Sequence, residues 1–515
     1  RVASFNVKES TTLRKSIAKK NKEIAITARD ILMAKGLAQG TSEALLDYVW
    51  YQISRMLSYA FSSPHTLAYS LIAMEQLNLN MNYNPLYWNT AVLTVNSGSQ
   101  EVEEGEKKKT TKYGKTASAI GKMKSFGVNV SLPLINSAGF GFETDIKNNR
   151  IIFSLKGIVG VGDDAVYEII NNRPYTSFDD FYDRLYLTKK VQKKHIIKLV
   201  KAGAFDEFGE RIEIMKKLVF KEVEMKDKLT MANLPRAIEI GLLDGEKLDI
   251  YKRLLEFKKY ISKSVVRTIP KPKDRILGLD NTAQIFLMEH FTDVKYDYED
   301  NIMTISEKEF SKSYDIIMEP IKELINTKPF LNAFNKAQFI ELWDDMASGT
   351  VSSWEMESVS FYDSEHELEH LDREKYGIAN WNEIDPMPEI VETYMSRGRE
   401  YKNNRLFSLV GTVLDKDKNK HTVTILTPDG VVTCKMYGGA FTHYDKQISV
   451  VEGGKKRVVE KSWFTRGNLL FVTGFRREDQ FVLKTYKNSP HAHTINLITG
   501  IEGTEVKLQS ERTKG

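Results

Sequence analysis

Residues 151–162 read Ile151-Ile152-Phe153-Ser154-Leu155-Lys156-Gly157-Ile158-Val159-Gly160-Val161-Gly162. An apolar run ends in a glycine-rich turn, and a helical pattern of Ala165, Val166, Ile169 and Ile170 follows. Glycines two apart at the mouth of a helix let backbone N–H groups face an anion with no side chain in the way. That anion is either a dinucleotide or a nucleic-acid backbone. The third glycine of the dinucleotide fingerprint is missing, and no lone acidic residue stands out after an expected second strand. The pattern predicts instead a second helix over 188–201, ending at Ala202-Gly203-Ala204-Phe205. On it Lys190, Lys194, Lys198 and Lys201 fall at i, i+4, i+8 and i+11, one basic stripe. A helix C-cap glycine beside a solvated charged face accounts for either hairpin alone; the two together favour nucleic acid.

Paired glycine hairpins beside a lysine stripe resemble a tandem helix-hairpin-helix module, which grips DNA by its phosphates without reading sequence. Bulk composition fits. The 515 residues suffice for about three domains. The 74 Lys+Arg are nearly balanced by 69 Asp+Glu, for a net charge of +5, so any basic surface is local. One cysteine, Cys434, excludes an internal disulfide and suits a cytoplasmic protein. No apolar run has membrane-spanning length. The chain starts at Arg1, inside what reads as an ongoing element, and the expectation is a fragment or one half of a split protein.

The fold class expected is multidomain α+β: a mostly helical N-terminal two thirds carrying the hairpin module, then a C-terminal β-barrel. Residues 1–96 read as helical, with Ser10 or Thr11 as cap of a helix through Leu13 and Ile17. Residues 97–118 turn Glu- and then Lys-rich and read as a charged linker. Residues 119–209 hold short strands and the hairpin module, 210–402 a helical connector, 403–500 a barrel and 501–515 a tail. From Arg405 the texture is strand-like, with a hairpin at Pro428-Asp429-Gly430. About five strands in some 100 residues, interleaved with aromatic and basic residues, suit an OB-fold. Phe441, Trp463, Phe464 and Tyr486 are stacking candidates that serve equally as barrel filling. On the barrel, Lys435, Arg476, Arg477 and Lys484 are the candidate charges for single-stranded DNA, and Tyr437 or Phe481 the candidate stacking partners.

In this order the parts resemble the C-terminal half of a bacterial-type (family C) replicative DNA polymerase, the polymerase III alpha subunit. Leu13-Arg14-Lys15-Ser16-Ile17-Ala18-Lys19-Lys20 is similar to the fingers motif L-R-R-A-M-G-K-K. Tyr59-Ala60-Phe61-Ser62-Ser63-Pro64-His65-Thr66-Leu67-Ala68-Tyr69-Ser70-Leu71 is similar to Y-G-F-N-K-S-H-S-A-A-Y-A-L, with Ser62-Ser63-Pro64 standing in place of N-K-S. Lys156–Gly162 and Lys201–Asp206 match the hairpin region, and Glu355–Glu367 echoes the stretch ahead of the OB domain. The resemblance implies that Arg14, Lys15, Lys19 and His65 bind the incoming dNTP, with Tyr69 on the same helical face as His65. It implies that Gly157, Gly160, Gly162, Lys190, Lys194, Lys198 and Gly203 bind double-stranded primer-template DNA. Cations that clamp a triphosphate and hold it in line make sense of Arg14 and Lys15 on one helix turn.

Two-metal nucleotidyl transfer also needs carboxylates that bridge Mg2+ ions, supplied in this family by a palm D-x-D. The D-x-D here, Asp415-Lys416-Asp417, falls in a lysine-rich turn, and Asp179-Asp180 and Asp344-Asp345 are adjacent pairs on predicted helices. The expectation is therefore a chain that handles substrate while an N-terminal half or palm-bearing partner holds the Mg2+. The family's histidine-rich N-terminal domain is likewise not found. Gln338-Phe339-Ile340-Glu341-Leu342-Trp343 has the flavour of a sliding-clamp peptide with one residue too many. The competing reading is a non-catalytic DNA-binding scaffold. A ligase needs K-x-D-G, which neither Leu242-Leu243-Asp244-Gly245 nor Thr427-Pro428-Asp429-Gly430 supplies.

Overall fold

The computed structural model describes residues 3–18, 22–56, 63–98, 112–243, 252, 264–291, 294–396, 398–452, 455–483 and 494–513. Two compact units, residues 1–88 and 89–515, make up the chain. In the first, α1 (Val7–Ala18), α2 (Lys22–Ala38) and α3 (Glu43–Met56) precede α4 (Ser63–Asn82), and α5 (Pro85–Ser97) starts at the predicted Asn84-Pro85 break. The cap of α1 is Asn6, not Ser10 or Thr11. Asn6 Oδ1 accepts the Glu9 N–H and Glu9 Oε2 the Asn6 N–H, each at 2.9 Å, a reciprocal capping box. Glu9 also accepts from Lys35 Nζ at 2.6 Å, which ties α1 to α2.

In the second unit α6 (Tyr113–Ser125) begins inside the stretch read as linker, and a three-stranded sheet of order β1-β3-β2 (Asn129–Ser131, Arg150–Ile152, Glu143–Asp145) follows. The hairpin module follows: α7 (Asp163–Asn171), α8 (Phe178–Phe181) running on into a π-turn, α9 (Lys193–Lys201) and α10 (Arg211–Glu222). Its centre is aromatic. Phe205 meets Phe178 and Phe181 edge-on at centroid distances of 5.1 and 4.8 Å.

The connector differs from the helical expectation. After α11 (Leu234–Glu239) it contains an antiparallel sheet of order β4-β5-β7-β6, made of Val265–Lys271, Asp274–Leu279, Ile302–Ser306 and Asp297–Glu299. Helices α12 (Asn281–His290), α13 (Glu307–Ile325), α14 (Lys328–Ala347) and α15 (Val351–Ser358) complete it. Phe286, Leu287, Phe310, Met318 and Phe334 are buried in the core this sheet shares with its helices.

An exposed ribbon of β8 (Ile390–Ser396) and β9 (Arg399–Asn404) leads into the barrel. Strands β10 (Phe407–Asp417), β11 (Thr422–Thr427), β12 (Gly430–Met436), β16 (Gln480–Leu483) and β15 (Leu469–Arg477) pair in that order, and β15 returns to β10. The circuit is closed with five strands, its β12–β16 step is parallel, and the helix Gly438–Asp445 follows β12, as in an OB-fold. A hairpin β13–β14 (Ile448–Glu452, Lys455–Glu460) lies between that helix and β15. The stretch read as a tail is part of the sheet: β17 (Ile495–Glu502) pairs β15 and β18 (Glu505–Gln509) pairs β17. Arg512 then donates to the carbonyls of His443, Tyr444, Lys446 and Lys461, which anchors the end of the chain.

Candidate nucleic-acid interface

The first hairpin hangs on two buried plugs, Ile158 and Val161, at 0% and 4% exposure. Its three glycines do different work. Gly157 is buried, and a Cβ there would lie 2.7 Å from Ser154 Oγ and 2.8 Å from the Phe153 ring, so it is a packing glycine. Gly160, at φ +85°, turns the chain, and Gly162 is the N-cap of α7; both face solvent. No described group accepts the N–H of Gly160 or Gly162, whereas that of Val159 donates to the Ser358 carbonyl at 2.8 Å. Both N–H groups sit at the exposed start of α7, where a helix N-terminus favours an anion. Lys156 pairs with Asp163 in the first turn of α7, while Asp164 stays exposed and opposes an anion.

The lysine stripe is shorter than its sequence spacing implied. Helix α9 begins at Lys193 because Lys189 adopts φ +62°, which places Lys190 in the preceding turn. There its Nζ lies 3.2 Å from Asn172 Oδ1 and 3.5 Å from Glu168. Lys198 and Lys201 both pair with Glu357, and Lys201 is buried. Lys194 remains exposed and makes no ion pair among the described residues.

Gly203 is also not a phosphate cradle. It is buried at φ +73°, with its N–H on the Val200 carbonyl and the Ala204 N–H on that of Leu199, a Schellman cap of α9. A Cβ there would sit 2.5 Å from Arg211 Nη2. Arg211 binds Asp206 at 2.6 Å and Glu355 at 2.9 Å. Glu355, 1% exposed, also accepts the N–H groups of Asp363 and Ser364, both at 3.0 Å, and the Ser364 hydroxyl at 2.7 Å. In the same stretch His366 accepts the Leu368 N–H on Nδ1, so Nε2 carries the proton donated to the Leu426 carbonyl at 2.8 Å. Burial pushes its pKa down to about 4, because the charged ring would be desolvated there. The segment 355–367, read only as an echo of a family motif, thus joins α10 and α15 to the barrel.

On the barrel, Tyr437 is 61% exposed at the end of β12, and Lys435 on the same strand reaches the Lys420 carbonyl in the β10–β11 turn. Lys435 lies opposite Thr422, and Thr433 beside Gln480, which is two residues past exposed Glu478 in the β15–β16 turn. At this end His421 packs against Phe441 of the helix Gly438–Asp445, ring centroids 5.6 Å apart. The other end is covered where Ala117 of α6, Met356 and Tyr362 pack with Leu426 and Val431. Two expected contacts are corrected. Phe481 is fully buried among Trp381, Val432 and Leu483, because it shares the inward face of β16 with Leu483. Arg476 lies 4.2 Å over the Trp381 ring and donates to the carbonyls of Trp381 and Ile384, so it holds the segment before the ribbon. Arg477 is exposed, and Lys484 and Tyr486 lie outside the described residues. Phe441, Trp463 and Phe464 are barrel core. The Asp415-Lys416-Asp417 turn is closed by Asp417 Oδ1, which accepts the N–H groups of Asn419 at 2.9 Å and Lys420 at 3.0 Å. Tyr437→Ala is expected to weaken binding of a single-stranded oligonucleotide about 5- to 150-fold in fluorescence anisotropy, the loss of one stacked base.

In the first unit Arg14 and Lys15 are both exposed on α1, and neither makes an ion pair among the described residues. His65, in the first turn of α4, lies 4.5 Å from the Tyr69 ring, the predicted i, i+4 neighbour. Lys19 lies outside the described residues. Gln338–Trp343 is interior to α14, where Phe339 packs on Phe220 at 4.5 Å and on Trp343 at 6.0 Å.

A family model described as a helix-hairpin-helix motif matches residues 127–213. A probable DNA polymerase of Bacillus subtilis (strain 168), YorL, and the DNA-directed DNA polymerase of Bacillus phage SPbeta are each 46% identical over 503 residues. The DNA polymerase III alpha subunit of Bacillus subtilis is 29% identical over 212 residues, 41% of this chain and 18% of that protein. The chain is similar to these polymerases. It aligns over 96% of its own length but spans only 38% of the length of the first two relatives. Among the described residues no helix is long and apolar enough to cross a membrane.

Proposed function

We propose that this chain is the substrate-handling part of a replicative DNA polymerase. The 46% identity to DNA polymerases, maintained over 503 residues, carries that reading. Arg14 and Lys15, with Lys19 and His65, hold the triphosphate of the incoming dNTP. The first hairpin and α9 hold the primer-template duplex through the N–H groups of Gly160 and Gly162 and through Lys194. The barrel holds single-stranded template through Lys435, Tyr437 and Arg477. The assembly works in the cytoplasm with Mg2+ bound by residues outside this chain. A palm-bearing segment and a sliding clamp are the partners this reading calls for.

Duplex binding tests the hairpin. Affinity should fall steeply with salt and differ little between sequences, because phosphates are the contacts. Gly162 has an extended backbone at φ −83° and nothing within 4 Å of a Cβ, so Gly162→Val folds without strain and only shields the N–H. We expect it to weaken duplex binding about tenfold, the loss of one charge-assisted phosphate contact. Salt-independent or sequence-selective binding would sink the assignment. A non-catalytic scaffold would bind both DNA forms but be indifferent to loss of Arg14 and Lys15.

A further inference from the structure

Helix α15 sets an acid against the hairpin that is read as the duplex grip. Glu357 accepts from Lys198 Nζ on one oxygen and from Lys201 Nζ on the other, the second at 2.8 Å. One residue on, the Ser358 carbonyl takes the Val159 N–H, so α15 ends on the hairpin itself. Lys198 runs alongside the same turn: a Cβ on Gly160 would lie 3.8 Å from Lys198 Cγ. A carboxylate therefore stands where the exposed hairpin and its nearest lysine converge, and it binds a lysine as a phosphate would.

Exposure separates the two lysines. The Glu357 side chain is 44% exposed and that of Lys198 24%, against 7% for Lys201. Glu357 and Lys198 can exchange partners at the surface, and Lys201 cannot follow. Burial pushes the Glu357 carboxyl up, but the bonds from Lys198 and Lys201 outweigh it and hold the group below the usual range. The exchange needs only a side-chain swing, because α15 is fixed independently through Glu355, which is held by Arg211, Asp363 and Ser364.

We propose that the Glu357 carboxylate is an internal stand-in for a DNA phosphate at the first hairpin, holding Lys198 in reserve and setting how tightly, and with what salt dependence, this face grips a nucleic-acid backbone. The inference rests on the reading of the hairpin as a duplex-binding element. In its resting state the hairpin offers one lysine fewer than its sequence shows. While the carboxylate keeps Lys198, a bound duplex makes one phosphate contact fewer, which lowers both the affinity and its salt slope.

The test is duplex binding by the full chain over a salt series. Glu357→Gln is expected to tighten binding about tenfold at ~0.1 M salt and to steepen the slope of log K against log salt by about 0.9, the signature of one added phosphate contact. Lys198→Gln should abolish that gain in the Glu357→Gln background. Glu357→Asp keeps the charge but shortens the reach, so it should give a partial gain even if the glutamine variant folds poorly. Unchanged affinity and slope in both Glu357 variants, with wild type binding in a salt-dependent way and Lys194→Gln weakening it, would overturn this proposal alone. Salt-independent binding by wild type would remove the hairpin reading and the proposal with it.

Discussion

Glu355→Ala is expected to destabilise the second unit by about 3–5 kcal/mol, seen as a lower urea midpoint at nearly constant slope. The carboxylate is buried and saturated: one oxygen faces Arg211 and the other takes two backbone N–H groups and a hydroxyl. Truncation strands the N–H groups of Asp363 and Ser364 and leaves Arg211, 8% exposed, with Asp206 as its remaining ionic partner. Removing one member of a buried pair costs far more than the pair is worth, since the survivor stays desolvated and uncompensated. Glu355→Gln keeps an acceptor for the Asp363 and Ser364 N–H groups and should cost less, about 1–3 kcal/mol. A loss below about 1 kcal/mol for the alanine variant would mean that water reaches Arg211 and that this stretch does not hold α10 and α15 to the barrel.

That network also marks the limit of what the sequence reveals. The glycine hairpin is legible in 157–162 because its spacing is local. Which glycines face solvent is not, since it depends on Phe153 and Ser154 packing under Gly157. The lysine stripe is legible as a period. Its partners are not, because Glu357 lies 159 residues from Lys198, and one positive φ at Lys189 removes Lys190 from the helix. The barrel strands are legible from their alternation, and the same alternation marks Phe481 as inward, in step with Leu483. Read for its charge and aromatic content instead, β16 suggests a stacking face it does not have. The connector sheet had a signal too. Asp300 and Asn301 both adopt positive φ in a two-residue turn ahead of the mostly apolar Ile302-Met303-Thr304-Ile305, the chemistry of a tight hairpin. Helical periodicity dominates the flanking segments.

Loss of the two cations on α1 should have the largest effect on chemistry. In an assembly that extends primers, Arg14→Ala or Lys15→Ala is expected to lower kcat/KM about 10²–10³-fold, comparable to removing one preorganised donor from developing charge. Helix geometry puts successive side chains about 100° apart, yet both are long enough to converge on one triphosphate. Both are exposed, and neither is neutralised by a carboxylate among the described residues. Lys35 shows the contrast, since both oxygens of Glu9 occupy it. The loss should be equal for the four nucleotides, because the contact is with phosphate and carries no base information. Arg14→Lys should recover only part of the activity, as a point charge replaces a planar fork. Full activity in the Arg14/Lys15 double variant, or a loss confined to one base, would remove α1 from the triphosphate site and leave the hairpin and barrel as this chain's share of the work.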